Sequence, residues 1–178
     1  MQHSFEWLPP RFRLPLLAVL FVITLVIGNR LRVQGKPLRT DAAPNGMLSL
    51  QFAWTGDRAR RIIASWKQVL DVARRQIRLD FGFLLVYPLF LALACAVVAG
   101  SPQNRWAGGG EFLSWAVLLA LPLDAIENSI SLRMLGHGPS PARSRAASFA
   151  AIVKWLLVVA TVLYLVGAGV LILVGWPR

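Results

Sequence analysis

Acidic and metal-binding side chains are scarce in this chain. Eight Asp and Glu stand against 19 Lys and Arg, with two His and one Cys in 178 residues. The single Cys95 excludes an internal disulfide, a cysteine zinc site and a CxxC redox pair. It sits among Ala and Leu, where a thiol behaves as a small apolar residue. His3 and His137 have no second ligand at metal spacing and read as loop residues. HExxH, GxSxG and P-loop signatures are all missing, so no recognisable catalytic motif is present. Internal repeats and low-complexity segments are missing too.

What is abundant is apolar residue. Hydrophobic residues make up 56% of the chain and charged ones 15%, with a mean hydropathy of +0.58. A soluble domain of this length needs far more polar surface. The net charge of +11 does not indicate nucleic-acid binding, because the apolar runs leave no room for a soluble basic face. In a membrane protein the same excess marks cytoplasmic loops that meet anionic lipid headgroups. The expected partner is therefore the bilayer, with no nucleic acid.

Four apolar stretches, 14–29, 81–99, 112–135 and 149–174, are bounded by Gly and Pro. They predict an all-α fold, a four-transmembrane-helix bundle in a single membrane domain over 1–178. Arg11 and Arg13 precede the first stretch as in a signal peptide, but Gly28-Asn29-Arg30 follows it with no small-x-small cleavage site. It is read as an uncleaved helix.

The first loop, 30–79, has structure of its own. Leu48, Leu50, Phe52 and Trp54 alternate with Ser49, Gln51 and Ala53, which predicts a short half-buried strand. Thr55-Gly56-Asp57 resembles a helix start, with Thr55 or Asp57 as N-cap. Over 57–77, Ile62, Ile63, Trp66, Val69, Leu70, Ala73 and Ile77 form one apolar stripe beside Lys67, Arg74, Arg75 and Arg78. This predicts an interfacial amphipathic helix between helices 1 and 2, its stripe facing lipid tails or the bundle.

Ionisable groups inside the spans are few, and they cluster. In the third span Asp124, Glu127, Asn128 and Ser131 stand at i, i+3, i+4 and i+7, on one helical face. Pro122, just before them, cannot donate to the carbonyl of Leu118 and should kink the helix. Asp80 opens the second span with Tyr87 seven residues on, and Lys154 sits early in the fourth. At 1.5 Å per residue, Glu127, Asp124, Tyr87 and Lys154 fall roughly 8 to 13 Å below the boundary with the basic loops. Asp80, Tyr87, Asp124, Glu127, Asn128 and Lys154 are thus the candidate ligand-binding residues.

Three carboxylates and one lysine leave about two negative charges to neutralise in a low-dielectric setting. Protonation, a first-loop arginine or a bound cation would do so. An all-oxygen set of Asp80, Asp124, Glu127 and Asn128 suits Mg²⁺ or Ca²⁺ better than zinc or copper. The alternative is that these groups are hydrogen-bonded glue between helices. The segments Asp80-Phe81-Gly82-Phe83 with Tyr87, and Asp124 to Asn128, resemble a family of uncharacterised bacterial four-helix integral membrane proteins with an Asp-x-x-Glu-Asn segment in the third helix. The resemblance implies the architecture and this cluster as the site, and the expected location is a bacterial inner membrane. It implies no reaction.

Three functions follow as expectations. One is binding of a cation or polar lipid headgroup. Another is an enzyme acting on a lipid or isoprenoid, with Asp124 or Glu127 as general acid or base and Lys154 or first-loop arginines on a phosphate. The third is a small structural subunit of a larger complex, or a homo-oligomer, packed through Ala92-x-x-x-Ala96 or Gly167-Ala168-Gly169.

Charge orients the spans. The first and third loops hold fourteen of the 19 cations, and Arg11, Arg13, Arg105 and Arg178 lie on the other side. The positive-inside rule places both basic loops in the cytoplasm and both termini outside. Trp7, Trp106 and Trp176 then share the outer interface as an aromatic belt. In a Cys95→Ala background, an impermeant thiol reagent added from outside should label a cysteine at Gly109 and spare one at Pro139. Labelling at Pro139 alone would invert the topology.

Overall fold

A helix satisfies its own backbone hydrogen bonds, so it is the form an apolar run takes where no water is available. The computed structural model describes residues 4–102 and 104–174, with side chains as far as Leu171. His3, Trp176 and Arg178 lie outside the described residues. Seven α-helices are described: α1 Pro10–Gln34, α2 Met47–Gln51, α3 Gly56–Ser65, α4 Leu70–Ala99, α5 Ala107–Ala116, α6 Ala120–His137 and α7 Pro141–Val174. Among the described residues there is no strand.

Four helical segments are long and apolar enough to cross a membrane: α1, α4, α5 with α6, and α7. The shortest has 25 residues, or about 38 Å at 1.5 Å per residue, against a hydrocarbon core of about 30 Å. The chain is therefore all-α, of the four-helix membrane class that its hydropathy predicts. These helices run beyond the apolar stretches. α4 begins at Leu70 and carries the basic turn with Arg74, Arg75 and Arg78 before the membrane run starts.

The described residues fall into two compact units. One comprises Met1–Thr24, Leu85–Leu121 and Lys154–Arg178; the other comprises Leu25–Leu84 and Pro122–Val153. In the first, the Asn104 amide donates to the Val98 carbonyl at 3.0 Å and to the Tyr164 hydroxyl at 2.7 Å. Gly110 lies so close to Tyr164 that a Cβ there would fall 2.1 Å from the phenol oxygen. Ser4 donates from its backbone to the Ser114 hydroxyl and from its own hydroxyl to the Ser114 carbonyl. Glycine and small polar residues thus let this unit close tightly, as helices in lipid do.

The second unit holds the first loop and its core. The predicted strand is instead the short helix α2, led in by Gly46 at φ 57°. An alternating pattern over seven residues also fits a helical turn, and no partner strand is present among the described residues to supply a ladder. As a helix, α2 turns Leu50 and, just beyond it, Ala53 into the core, while Leu48 and Phe52 share the outer face. Thr55 caps α3 as expected, its hydroxyl accepting from the Arg58 amide at 3.3 Å.

The amphipathic stripe is split by a turn at 66–69 between α3 and α4. Its apolar side chains pack on protein: Ile62, Trp66, Ala73 and Ile77 join Leu38, Leu50, Ala59, Met134 and Ala147 in one core. Trp66 is the largest fully buried side chain among the described residues, and its indole N–H donates to the Leu38 carbonyl at 2.8 Å. That bond fixes a residue of the 3-10 turn Lys36–Leu38, just after α1, to the end of α3. Trp66→Phe should cost about 1–3 kcal/mol by orphaning a buried carbonyl, and Trp66→Ala about 3–5 kcal/mol by opening a cavity. Thermal unfolding in detergent measures both; equal, negligible losses would contradict the packing described.

Candidate functional site

Pro122 sets the geometry of the site. Lacking an N–H and clashing with the carbonyl four residues back, it interrupts the α-helical ladder at Leu118. The chain there is a 3-10 turn, Val117–Leu119, between α5 and α6. A helix broken just above a polar face leaves that face its own rotation, independent of the segment before it.

α6 then buries the polar face that the sequence marks. Asp124, Glu127, Asn128 and Ser131 are 2%, 0%, 2% and 1% exposed, whereas Ile126 on the other side is 51% exposed. Met134 and Leu135 continue the buried face downstream. In water this arrangement would be inverted. In hydrocarbon it is the expected one, because a polar group facing lipid goes unsatisfied.

Within the same unit, the Asn128 amide donates to an Asp80 carboxylate oxygen at 2.8 Å. This bond ties α6 to α4, while Asp124 and Glu127 share the buried face of α6. Asp124 and Glu127 are three residues apart, so their Cβ atoms lie about 5–6 Å from each other. Both residues, like Asp80, also take part in further polar or electrostatic interactions.

The other two predicted residues belong to the other unit. Tyr87 is buried on α4. Lys154 is 4% exposed on α7, with its ammonium 6.0 Å from the centroid of the Trp155 ring. Of the four groups read as metal ligands, Asp80 and Asn128 are hydrogen-bonded to each other. Among the described residues no three His, Cys, Asp or Glu side chains gather closely enough to hold a metal ion.

Ser131 belongs with the site although it was named only as part of the helical face. It is buried, and its hydroxyl has no hydrogen-bond partner among the described residues. The i+7 spacing from Asp124 is the signal that marks it. α7 also carries buried polar residues, Ser144 and Ser148 in one unit and Lys154 and Thr161 in the other. Phe149, Leu156, Leu163 and Val166 on the same helix are exposed. Thr161 donates back to the Leu157 carbonyl at 2.7 Å, and Ser144 to the Met134 sulfur at 3.7 Å.

No family model matches the chain, and no curated protein or solved structure is similar to it, so its function is read from these residues.

Proposed function

We propose that this integral membrane protein binds the cationic part of a polar lipid headgroup through the seam formed by Asp80, Asp124, Glu127 and Asn128. One observation carries the reading. Four polar side chains at i, i+3, i+4 and i+7 of a membrane helix are each 2% exposed or less, with Ile126 exposed on the opposite side. Ionisable groups at such depth are costly and mark binding or transport sites more often than inert structure. Mutual repulsion of the carboxylates is relieved by a positive charge, and an ammonium group also donates hydrogen bonds to oxygen acceptors. Mg²⁺ and Ca²⁺ take six or more oxygen ligands in a defined shell, a demand that an ammonium group does not make.

The site is proposed to open toward the basic loops in the cytoplasmic leaflet of a bacterial inner membrane, with both termini outside. The charge asymmetry and the resemblance in the Asp124–Asn128 segment support that placement. The hydrogen bond between Asn128 and Asp80 favours a second reading, in which the cluster only ties α6 to α4.

Glu127→Gln separates the two, since the amide keeps the shape and loses the charge. The melting temperature is measured in detergent with and without phosphatidylethanolamine, and separately with Mg²⁺ or Ca²⁺. A binding seam predicts that the lipid raises the wild-type melting temperature and leaves that of Glu127→Gln unchanged. Lower stability of the mutant with no ligand-dependent shift in either protein would support glue. A shift with the divalent ions but not the lipid would replace the headgroup by a metal ion.

A further inference from the structure

The Trp66 stripe packs inside the protein, so it is not what meets the lipid surface. A different part of the same loop is built for that role. In the segment 48–54, Leu50 and Ala53 turn into the core together with Ser49 and Gln51, which are 5% and 7% exposed, while Leu48, Phe52 and Trp54 are left 41%, 37% and 47% exposed. Three large apolar side chains left outside beside two buried polar ones suit lipid better than water.

The level of this segment is set by α7. A Cβ on Gly56 would stand 3.1 Å from the Pro141 backbone nitrogen, so the start of α3 rests on the first residue of α7. Two residues earlier, the Trp54 N–H donates to the Ser148 hydroxyl at 2.9 Å. Ser148 lies seven residues beyond Pro141, or about 10 Å further along the helix axis. The apolar run of α7 begins at the next residue, Phe149. From Gly56 back to Trp54 the chain therefore descends α7 to the edge of its membrane run. Arg143 and Arg145 lie on the turn of α7 above that edge, and Arg58 and Arg61 are exposed on α3.

Trp54 is held there at a conformational cost. Its φ is 60°, the only positive value at a non-glycine among the described residues, and the Thr55 N–H closes onto the Ala53 carbonyl around it. Such a tight turn is strained for a bulky residue and persists only where its surroundings enforce it. Here the Ser148 hydroxyl and the Gly56 contact do so, and the outcome is an aromatic apex at headgroup depth.

We infer that Leu48, Phe52 and Trp54 form a monotopic anchor. They enter the lipid leaflet on the basic side at headgroup level, while Arg58, Arg61 and Arg145 engage anionic phosphates above. Tryptophan prefers that depth, and cations flanking an apolar wedge suit an anionic leaflet rather than a second protein.

The test uses the full chain in phosphatidylethanolamine and phosphatidylglycerol vesicles, in a Cys95→Ala background. An environment-sensitive NBD fluorophore is attached to Trp54→Cys, Phe52→Cys or, as control, Gln68→Cys on the exposed turn between α3 and α4. NBD at 54 and 52 should be blue-shifted, quenched by a shallow doxyl lipid more than by a deep one, and shielded from aqueous iodide. NBD at 68 should be red-shifted, unquenched by either lipid and open to iodide. Iodide quenching at 54 and 52 equal to that at 68, or stronger quenching by the deep lipid, overturns the anchor. The variant at 52 does not depend on the strained backbone, so the test survives if the one at 54 does not fold.

Discussion

A polar side chain in hydrocarbon must find protein, and the rest of this structure depends on that constraint. It is most visible on α6, where Asp124, Glu127, Asn128 and Ser131 are buried and Ile126 is exposed. The same inversion recurs on α7, with Lys154 and Thr161 inside and Leu156 and Leu163 outside. It recurs again in the segment 48–54 with Gln51 and Trp54. The rule thus reaches past the spans into the loop that borders them, and it gives a single physical reason for three separate surfaces. Packing in lipid gains little from apolar burial between helices, so small residues and hydrogen bonds carry the association. Asn104 with Tyr164, and Asn128 with Asp80, are such contacts, one in each compact unit.

The core around Trp66 obeys a different rule. It packs first-loop residues with the ends of α6 and α7, where water is within reach and burying an indole is favourable. The chain therefore combines a membrane region organised by polar contacts with an adjoining core organised by apolar burial. Separate driving forces allow the loop to hold the Trp54 turn while the buried face at Asp124 stays polar.

Much of this was legible from residue order alone. Hydropathy marks four spans because twenty apolar residues in a row have no other stable environment. The face of Asp124, Glu127, Asn128 and Ser131 follows from 3.6 residues per turn, and Pro122 announces the break that the 3-10 turn at Val117–Leu119 realises. The segment at Leu48 was not legible. Four alternations in seven residues fit a strand or a short helix equally, and only the packing of Leu50 and Ala53 decides. Nor could periodicity tell whether Trp66 meets lipid or protein, since both are apolar. The Leu38 carbonyl that it reaches lies 28 residues away, beyond any local pattern. Asp80 and Asn128 were each identifiable as candidates, but their hydrogen bond joins residues 48 apart and depends on how α4 and α6 pack.

The most direct measurement is oxygen accessibility of spin labels placed singly at 122–134 in lipid, with Cys95 replaced by alanine. Accessibility should oscillate with a period of about 3.6 residues, high at 126 and 129 and low at 124, 127, 128 and 131. A flat profile, or maxima at 124 and 127, would contradict a buried polar face on α6 and remove the basis for a binding seam there.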